Sequence, residues 1–305
     1  MNVVDVNDVT YKYGSMFALR GVSCTVPEGA LYALLGPNGS GKTTLLQILM
    51  GLRRPHSGRA SVLGVDTTAL TPRLKSTIGY VAEGQMLPSG MRIGEIEAYL
   101  APLYDTWDVA LANELRERFE LDPTRKVEAL SRGQQVKASL LFALAPRPQL
   151  LVMDEPFTGM DALVKDELVR GLLESAGSEG WTVLVCSHDI GELELLADWV
   201  GFLDRGMMRV SEPMDAVRER FKRVEVTVSS ESATHADRDL PDEWLSVERS
   251  GQRLTFVTSE ATGAPIEQRV ATRLGAVSHV EVRNATLREV FVALARHRQT
   301  VEVGA

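Results

Sequence analysis

The chain has 305 residues, 44% apolar and 24% charged, the balance of a folded protein with a full core. Its net charge of −8 gives no bulk attraction to nucleic acid or an anionic membrane surface, so any phosphate it binds must be held by a local site. No apolar run approaches the ~18–20 residues of a membrane span, and "MNVVDVNDVTYKYG" at the N-terminus lacks the charged-then-apolar pattern of a secretory signal. Cys24 and Cys186 are far apart and form no metal-binding pair; Cys186 reads as a small buried hydrophobe. Together these features predict a soluble, cytoplasmic chain with one large domain or two unequal ones.

Early strands are predicted from "VVDVNDVTYKYG" and "LRGVSCTVPEG", both rich in β-branched residues and closed by turn residues. "ALYALLG" is a continuous apolar run suited to a strand buried on both faces, and a glycine loop and the helical "KTTLLQILMGL" follow it. "SGRASVLGVD" reads as a hairpin. From about residue 91 to 146 the patterns are mainly helical: "IGEIEAYLAPLY", "DVALANELRERFEL" and "ALSRGQQVKASLLFAL". Two further buried strands, "QLLVMDE" and "WTVLVCS", flank the helical "ALVKDELVRGLLESA". Strands alternating with helices predict a mostly parallel sheet with covered faces. Near residue 222 the composition shifts, and no lysine occurs from Val224 onward. "VEVTVSS", "LTFVTS" and "VSHVEVR" alternate as half-exposed strands, and "TLREVFVAL" puts Leu287, Val290, Phe291 and Leu294 on one helical face. Residues 223–305 are therefore read as a small second α/β domain after a first domain of 1–222. No internal repeat or low-complexity segment is visible.

"GPNGSGKT", Gly36 to Thr43, matches GxxxxGK[ST] between a predicted strand and a predicted helix, as a phosphate loop requires. The glycines let backbone N–H groups curl around phosphates, Lys42 supplies a point charge, and the Thr43 hydroxyl is a candidate Mg2+ ligand. "LLVMDEP" ends a strand on Asp154, a second candidate Mg2+ ligand, and Glu155 beside it is the candidate to polarise an attacking water. "CSHD" ends the next strand and brings His188 to the edge where parallel α/β sheets bind ligands. There it could hydrogen-bond a γ-phosphate or the water.

In "ALSRGQQ", Ser131 and Gln134 have capping-box spacing, but Gly133 lies in the first helical turn, where glycine costs about 1 kcal/mol relative to alanine. It leaves a helix N-terminus bare, the end with unpaired N–H groups and partial positive charge.

With these motifs in this order, residues 1–222 resemble the ATP-binding subunit of ABC transporters. The resemblance implies a P-loop ATPase cassette of α/β class: a mostly parallel sheet, an antiparallel β subdomain and a helical subdomain at about 91–146. It implies ATP and Mg2+ as ligands, with the nucleotide on Gly36, Pro37, Asn38, Gly39, Ser40, Gly41, Lys42, Thr43 and Thr44. Tyr13 resembles the aromatic that stacks on adenine. "LSRGQ" resembles the signature motif, whose helix end faces the γ-phosphate of ATP on a second subunit. Ser131, Gly133 and Gln134 would then contact the other chain's nucleotide in a head-to-tail homodimer. "TGMD", residues 158–161, resembles the loop that links the two sites.

Two departures from the family pattern stand out: Arg132 replaces a usual glycine, and Glu83 in "IGYVAEGQ" falls where glutamine is usual. Glu83 is taken as a third Mg2+ ligand, with Gln85 as the alternative if the loop shifts register. Glu155, His188 and Lys42 are the implied catalytic residues. The resemblance further implies permease subunits on separate chains, docked near residues 83–99, and a peripheral position on the inner face of the membrane. Export is the expected direction. The runner-up is a soluble ABC-type ATPase with a non-membrane partner; a third reading is a switch with little turnover. Nucleic acid is not expected as a partner.

Overall fold

The structure is a computed structural model and describes residues 1–84, 87–158, 160, 165, 180–194, 197–228, 240–259, 265–275 and 277–302. Gln85, Gly159, Asp161 and most of the predicted helix in "ALVKDELVRGLLESA" lie outside these residues. Contacts divide the chain into two units, Met1–Ser211 and Glu212–Ala305.

The first unit holds two sheets. The smaller is antiparallel and built from β1 (Asn2–Tyr13), β2 (Met16–Pro27), β4 (Ser57–Val62) and β5 (Val65–Asp66), in the order β2-β1-β4-β5. Its inward residues, among them Val4, Val6, Val22 and Val62, share one core with the larger sheet. That sheet contains β3 (Leu31–Leu35), β6 (Ile78–Val81), β7 (Leu150–Asp154), β8 (Thr182–Ser187), β9 (Trp199–Asp204) and β10 (Met207–Pro213), in the order β10-β9-β3-β8-β7-β6. β9, β3, β8, β7 and β6 run parallel. Every residue of β3, β7 and β8 is buried, as expected for parallel strands covered on both faces.

The helix α1 (Lys42–Leu49) follows β3 and buries Leu45, Leu46, Ile48 and Leu49 in that shared core. A one-turn α2 (Pro72–Lys75) leads into β6. The segment predicted to be helical carries α3 (Ile93–Leu100), α4 (Val109–Arg118) and α5 (Arg132–Leu144). α5 buries Leu140, Leu141 and Leu144 and packs against α3, α4 and β6. A further turn, α6 (Ile190–Leu193), follows β8.

β3, β8 and β7 are neighbours and parallel, so their carboxyl ends lie on one edge. The register pairs Leu35 with Ser187 and Asp154 with Cys186. The glycine loop, the Asp154–Glu155 pair and His188 therefore leave the sheet side by side, although the loop is more than 100 residues from the other two in sequence. This edge is where open α/β sheets bind ligands.

The second unit is a four-stranded antiparallel sheet of β11 (Phe221–Val228), β12 (Leu245–Ser250), β13 (Arg253–Ser259) and β14 (Val277–Asn284), ordered β12-β13-β11-β14. The composition shift near residue 222 coincides with β11, while the unit itself begins earlier and includes α7 (Met214–Arg220). Val224, Val226 and Val228 face a core in which Trp244 stacks on Phe256, with ring centroids 4.1 Å apart. α8 (Ile266–Leu274) adds Ile266, Val270 and Leu274. α9 (Leu287–Glu302) buries Leu287, Val290 and Phe291 and packs against β12 and β13.

Candidate active site

The phosphate loop owes its path to two glycines. A Cβ on Gly36 would stand 2.1 Å from the Leu203 carbonyl oxygen, and Gly41 has φ +110° with the Ala18 carbonyl 2.5 Å from where its Cβ would be. No other residue fits either position without moving backbone. Gly41 then caps α1 in the left-handed conformation, and Lys42 begins the helix. Lys42 is 5% exposed; its ammonium donates to the Gly36 carbonyl at 2.7 Å and lies 3.3 Å from Glu155 Oε1. Ser40 Oγ is buried with no hydrogen-bond partner inside this loop.

Asp154 ends β7 and is 1% exposed. The Thr43 hydroxyl hydrogen-bonds its carboxylate, yet Oδ1 has no hydrogen-bond partner. Burial raises the Asp154 pKa, and the nearby Glu83 and Glu155 carboxylates push it further in the same direction against Thr43 and Lys42.

Glu155 turns the chain sharply. Its φ of +47° lies in the left-handed region that non-glycine residues rarely adopt, and its N–H donates to the Cys186 carbonyl at 3.0 Å. Backbone strain of this kind costs on the order of 1–3 kcal/mol and concentrates at functional sites. The turn carries the side chain out of the strand direction, so that Oε1 faces Lys42 while Oε2 lies 2.7 Å from His188 Nδ1. Thr158 Oγ1 adds a hydrogen bond to Oε2 at 3.3 Å. A continuous chain, Lys42–Glu155–His188, thus runs along the sheet edge.

A cleft of about 410 Å³ opens above this chain. Tyr13, Asn38 to Thr44, Glu83 and Glu155 line it. Asp154 lies beneath it through Thr43, and Pro37 contributes its carbonyl to Lys42 at 3.4 Å. Tyr13 is partly exposed, its hydroxyl 3.4 Å from Thr44 Oγ1 and the Arg53 guanidinium 4.9 Å from its ring centroid. Phe17 also lines the cleft, with the Lys12 ammonium 4.1 Å from its ring centroid. Sequence reasoning passed over Phe17; the signal was an aromatic four residues after Tyr13, across the hairpin turn. Thr43, Asp154 and Glu83 offer a hydroxyl and two carboxylates, hard oxygen donors that suit Mg2+. Among the described residues, no three or more His, Cys, Asp or Glu side chains form a metal cluster by themselves.

The helix end at α5 stands apart. Ser131 Oγ accepts from Gln134 N–H at 3.2 Å, and Gln134 Oε1 accepts from Ser131 N–H at 3.1 Å, closing both halves of the capping box. Ser131 and Arg132 are exposed, and Ser131, Gly133 and Gln134 do not line the cleft of their own chain.

Comparison with known proteins gives this arrangement a family. Residues 19–158 match the ABC transporter family. The uncharacterized ABC transporter ATP-binding protein YhaQ of Bacillus subtilis is 30% identical over 243 residues, covering 78% of each chain. The chain belongs to the ABC transporter ATP-binding proteins. As a member of that family it binds ATP and is an ATPase, and its fold is the P-loop cassette. The Nod factor export ATP-binding protein I of Rhizobium etli is 29% identical to this cassette over 96% of the chain and 93% of its own length. The Fe(3+) ions import ATP-binding protein FbpC 2 of Rhodococcus jostii is 31% identical over 67% of the chain and 60% of its own. A solved ATP-binding cassette, dimeric and bound to ADP and Pi, superposes with a TM-score of 0.61 at 27% identity, covering 69% of this chain and 98% of its own. Among the described residues, no helix of the cassette is long and apolar enough to cross a membrane.

Proposed function

We propose that this cassette powers a separate membrane permease by hydrolysing ATP held between two copies of the chain. The observation that carries the reading is the Lys42–Glu155–His188 chain on the rim of the phosphate loop. In this reading adenine stacks on Tyr13, and the phosphates sit in the Gly36–Thr43 loop with N–H groups of Lys42, Thr43 and Thr44 turned to them. Lys42 neutralises charge that builds on the γ-phosphate. Glu155 takes the proton of the attacking water, and His188 holds the Glu155 carboxylate and the water in line. Thr43, Asp154 and Glu83 would hold Mg2+, which when bound neutralises phosphate charge.

Ser131, Gly133 and Gln134 serve the site of the second copy. Their exclusion from the cleft of their own chain, with an exposed helix end, supports that role. Closing the two copies over ATP excludes water from the site, and opening after hydrolysis resets it.

The permease surface is the groove between β6 and the helices α3 and α5. It encloses about 570 Å³ and is lined by Tyr80, Tyr99, Tyr104 and Phe142, among others. Tyr99 is 67% exposed and Leu103 61%, an apolar patch suited to a helix from a membrane partner. That docking puts the chain on the inner membrane face. Export is favoured because the Nod factor export protein is similar over 96% of the chain, the second unit included. The net charge of −8 speaks against a nucleic-acid partner.

Tagged Glu155→Gln protein, pulled down with ATP from detergent-solubilised membranes and analysed by mass spectrometry, tests the reading. A stoichiometric multi-span partner is expected. Soluble partners alone would move the chain to the ATPases that act away from membranes.

A further inference from the structure

Glu83 sits two residues past the end of β6, exposed to solvent, and lines the cleft together with Lys42, Thr43 and Glu155. It is near enough to Asp154 for its charge to be felt there. The local charge is unbalanced. Among the described residues that line the cleft Lys42 is the cationic one, and it is already committed to Glu155 at 3.3 Å and to the Gly36 carbonyl, while Lys12 and Arg53 lie against the Phe17 and Tyr13 rings. His188 lies on the far side of the Glu155 carboxylate, bonded to Oε2. Glu83 is left on the cleft wall without a cation committed to it there, and the buried, unpartnered Oδ1 of Asp154 lies beneath.

We infer that Glu83 sharpens the dependence of nucleotide binding by this chain on a divalent cation, disfavouring metal-free ATP and favouring ATP whose charge a cation has neutralised. The inference rests on the cleft being the ATP site, as proposed above. A glutamine of the same length would offer an oxygen without the repulsion. A full negative charge repels the metal-free polyphosphate and attracts the cation that joins it, so both effects widen the gap between the two forms. Because Glu83 is exposed, water screens it, and one unit charge under such screening alters affinity roughly five- to tenfold.

The test is calorimetric titration of the full chain with adenylyl-imidodiphosphate, a non-hydrolysable ATP analogue, once in Mg2+ and once in EDTA. The quantity read is the ratio of Kd in EDTA to Kd in Mg2+. For Glu83→Gln this ratio should fall roughly five- to tenfold below wild type, mostly through tighter binding in EDTA. Glu83→Asp, which keeps the charge, should hold the wild-type ratio within about twofold. Thermal melts of both variants should match wild type, since Glu83 packs into no core.

An unchanged ratio in Glu83→Gln overturns the inference and leaves the ATP site standing. The same drop in Glu83→Asp as in Glu83→Gln also overturns it, because side-chain length and not charge would then be responsible. Wild-type protein that binds the analogue in neither condition overturns both the inference and the reading of the cleft.

Discussion

Replacing His188 with alanine removes one end of the chain that orients Glu155. In the folded protein, Nδ1 of the imidazole is 2.7 Å from Oε2, the shortest of the three polar contacts to that carboxylate. With His188 gone, Thr158 at 3.3 Å from Oε2 and Lys42 at 3.3 Å from Oε1 remain, and Lys42 draws the carboxylate towards the phosphate loop. The His188 side chain is 45% exposed, so the fold should lose on the order of 1 kcal/mol or less, a few degrees in Tm.

Turnover should suffer far more than stability. A misplaced general base costs about 10²–10⁴ in rate, so kcat should fall at least about a hundredfold. His188 does not line the cleft, so KM for ATP should stay within about threefold. Phosphate release at saturating ATP and Mg2+ gives kcat, and titration with a non-hydrolysable analogue checks binding separately. A kcat within about fivefold of wild type, or a loss confined to KM, would refute the role given to His188.

Gly36→Ala places a methyl group 2.1 Å from the Leu203 carbonyl and 2.8 Å from Ser40 Oγ. The loop must move, at about 1–3 kcal/mol of stability, and calorimetry should find nucleotide affinity at least about tenfold weaker; unchanged affinity would mean that the loop does not set the phosphate position. In the second unit, Glu289 is bonded by Arg283 at 2.6 and 2.9 Å and by the Thr286 N–H at 2.9 Å. Partial burial pushes its pKa up, but these partners outweigh it and hold the carboxyl at about 2 against an ordinary 4.5. A depressed carboxylate pKa stabilises the fold above about pH 4.5, and that stability is lost as pH falls from 4.5 towards 2. Melts of wild type and Glu289→Gln should therefore differ by on the order of 1 kcal/mol at pH 7 and converge near pH 2; a gap that persists at low pH would exclude the ion pair as its cause.

The parts of the site that the sequence announces are those whose chemistry is local. A glycine loop between an apolar strand and a helix can be read because each glycine answers a steric demand within a few residues. The acids after "LLVM" and the histidine after "LVCS" can be read because buried parallel strands look alike and end on one edge. Distances across that edge cannot be read, since they depend on strand order. The order β3-β8-β7 brings Lys42, Glu155 and His188 into one chain, and the sequence contains no statement of it. The left-handed turn at Glu155 is likewise set by its N–H bond to Cys186, 31 residues on.

In the second unit, sequence reading finds β11, β13, β14 and α9 but passes over β12 and α8. β12 carries a register irregularity between Leu245 and Glu248, which breaks the alternation that betrays a strand. α8 did carry a signal, with Ile266, Val270 and Leu274 four residues apart, hidden by the polar residues between them. At α5 the capping box is legible from Ser131 and Gln134, and the structure makes both of its hydrogen bonds.

The most direct test of the account is Glu155→Gln with ATP and Mg2+, followed by sedimentation and by single-turnover phosphate release. The account predicts a stable dimer holding ATP, with hydrolysis slowed by at least about a hundredfold. A monomer that hydrolyses ATP at near wild-type rate would contradict it.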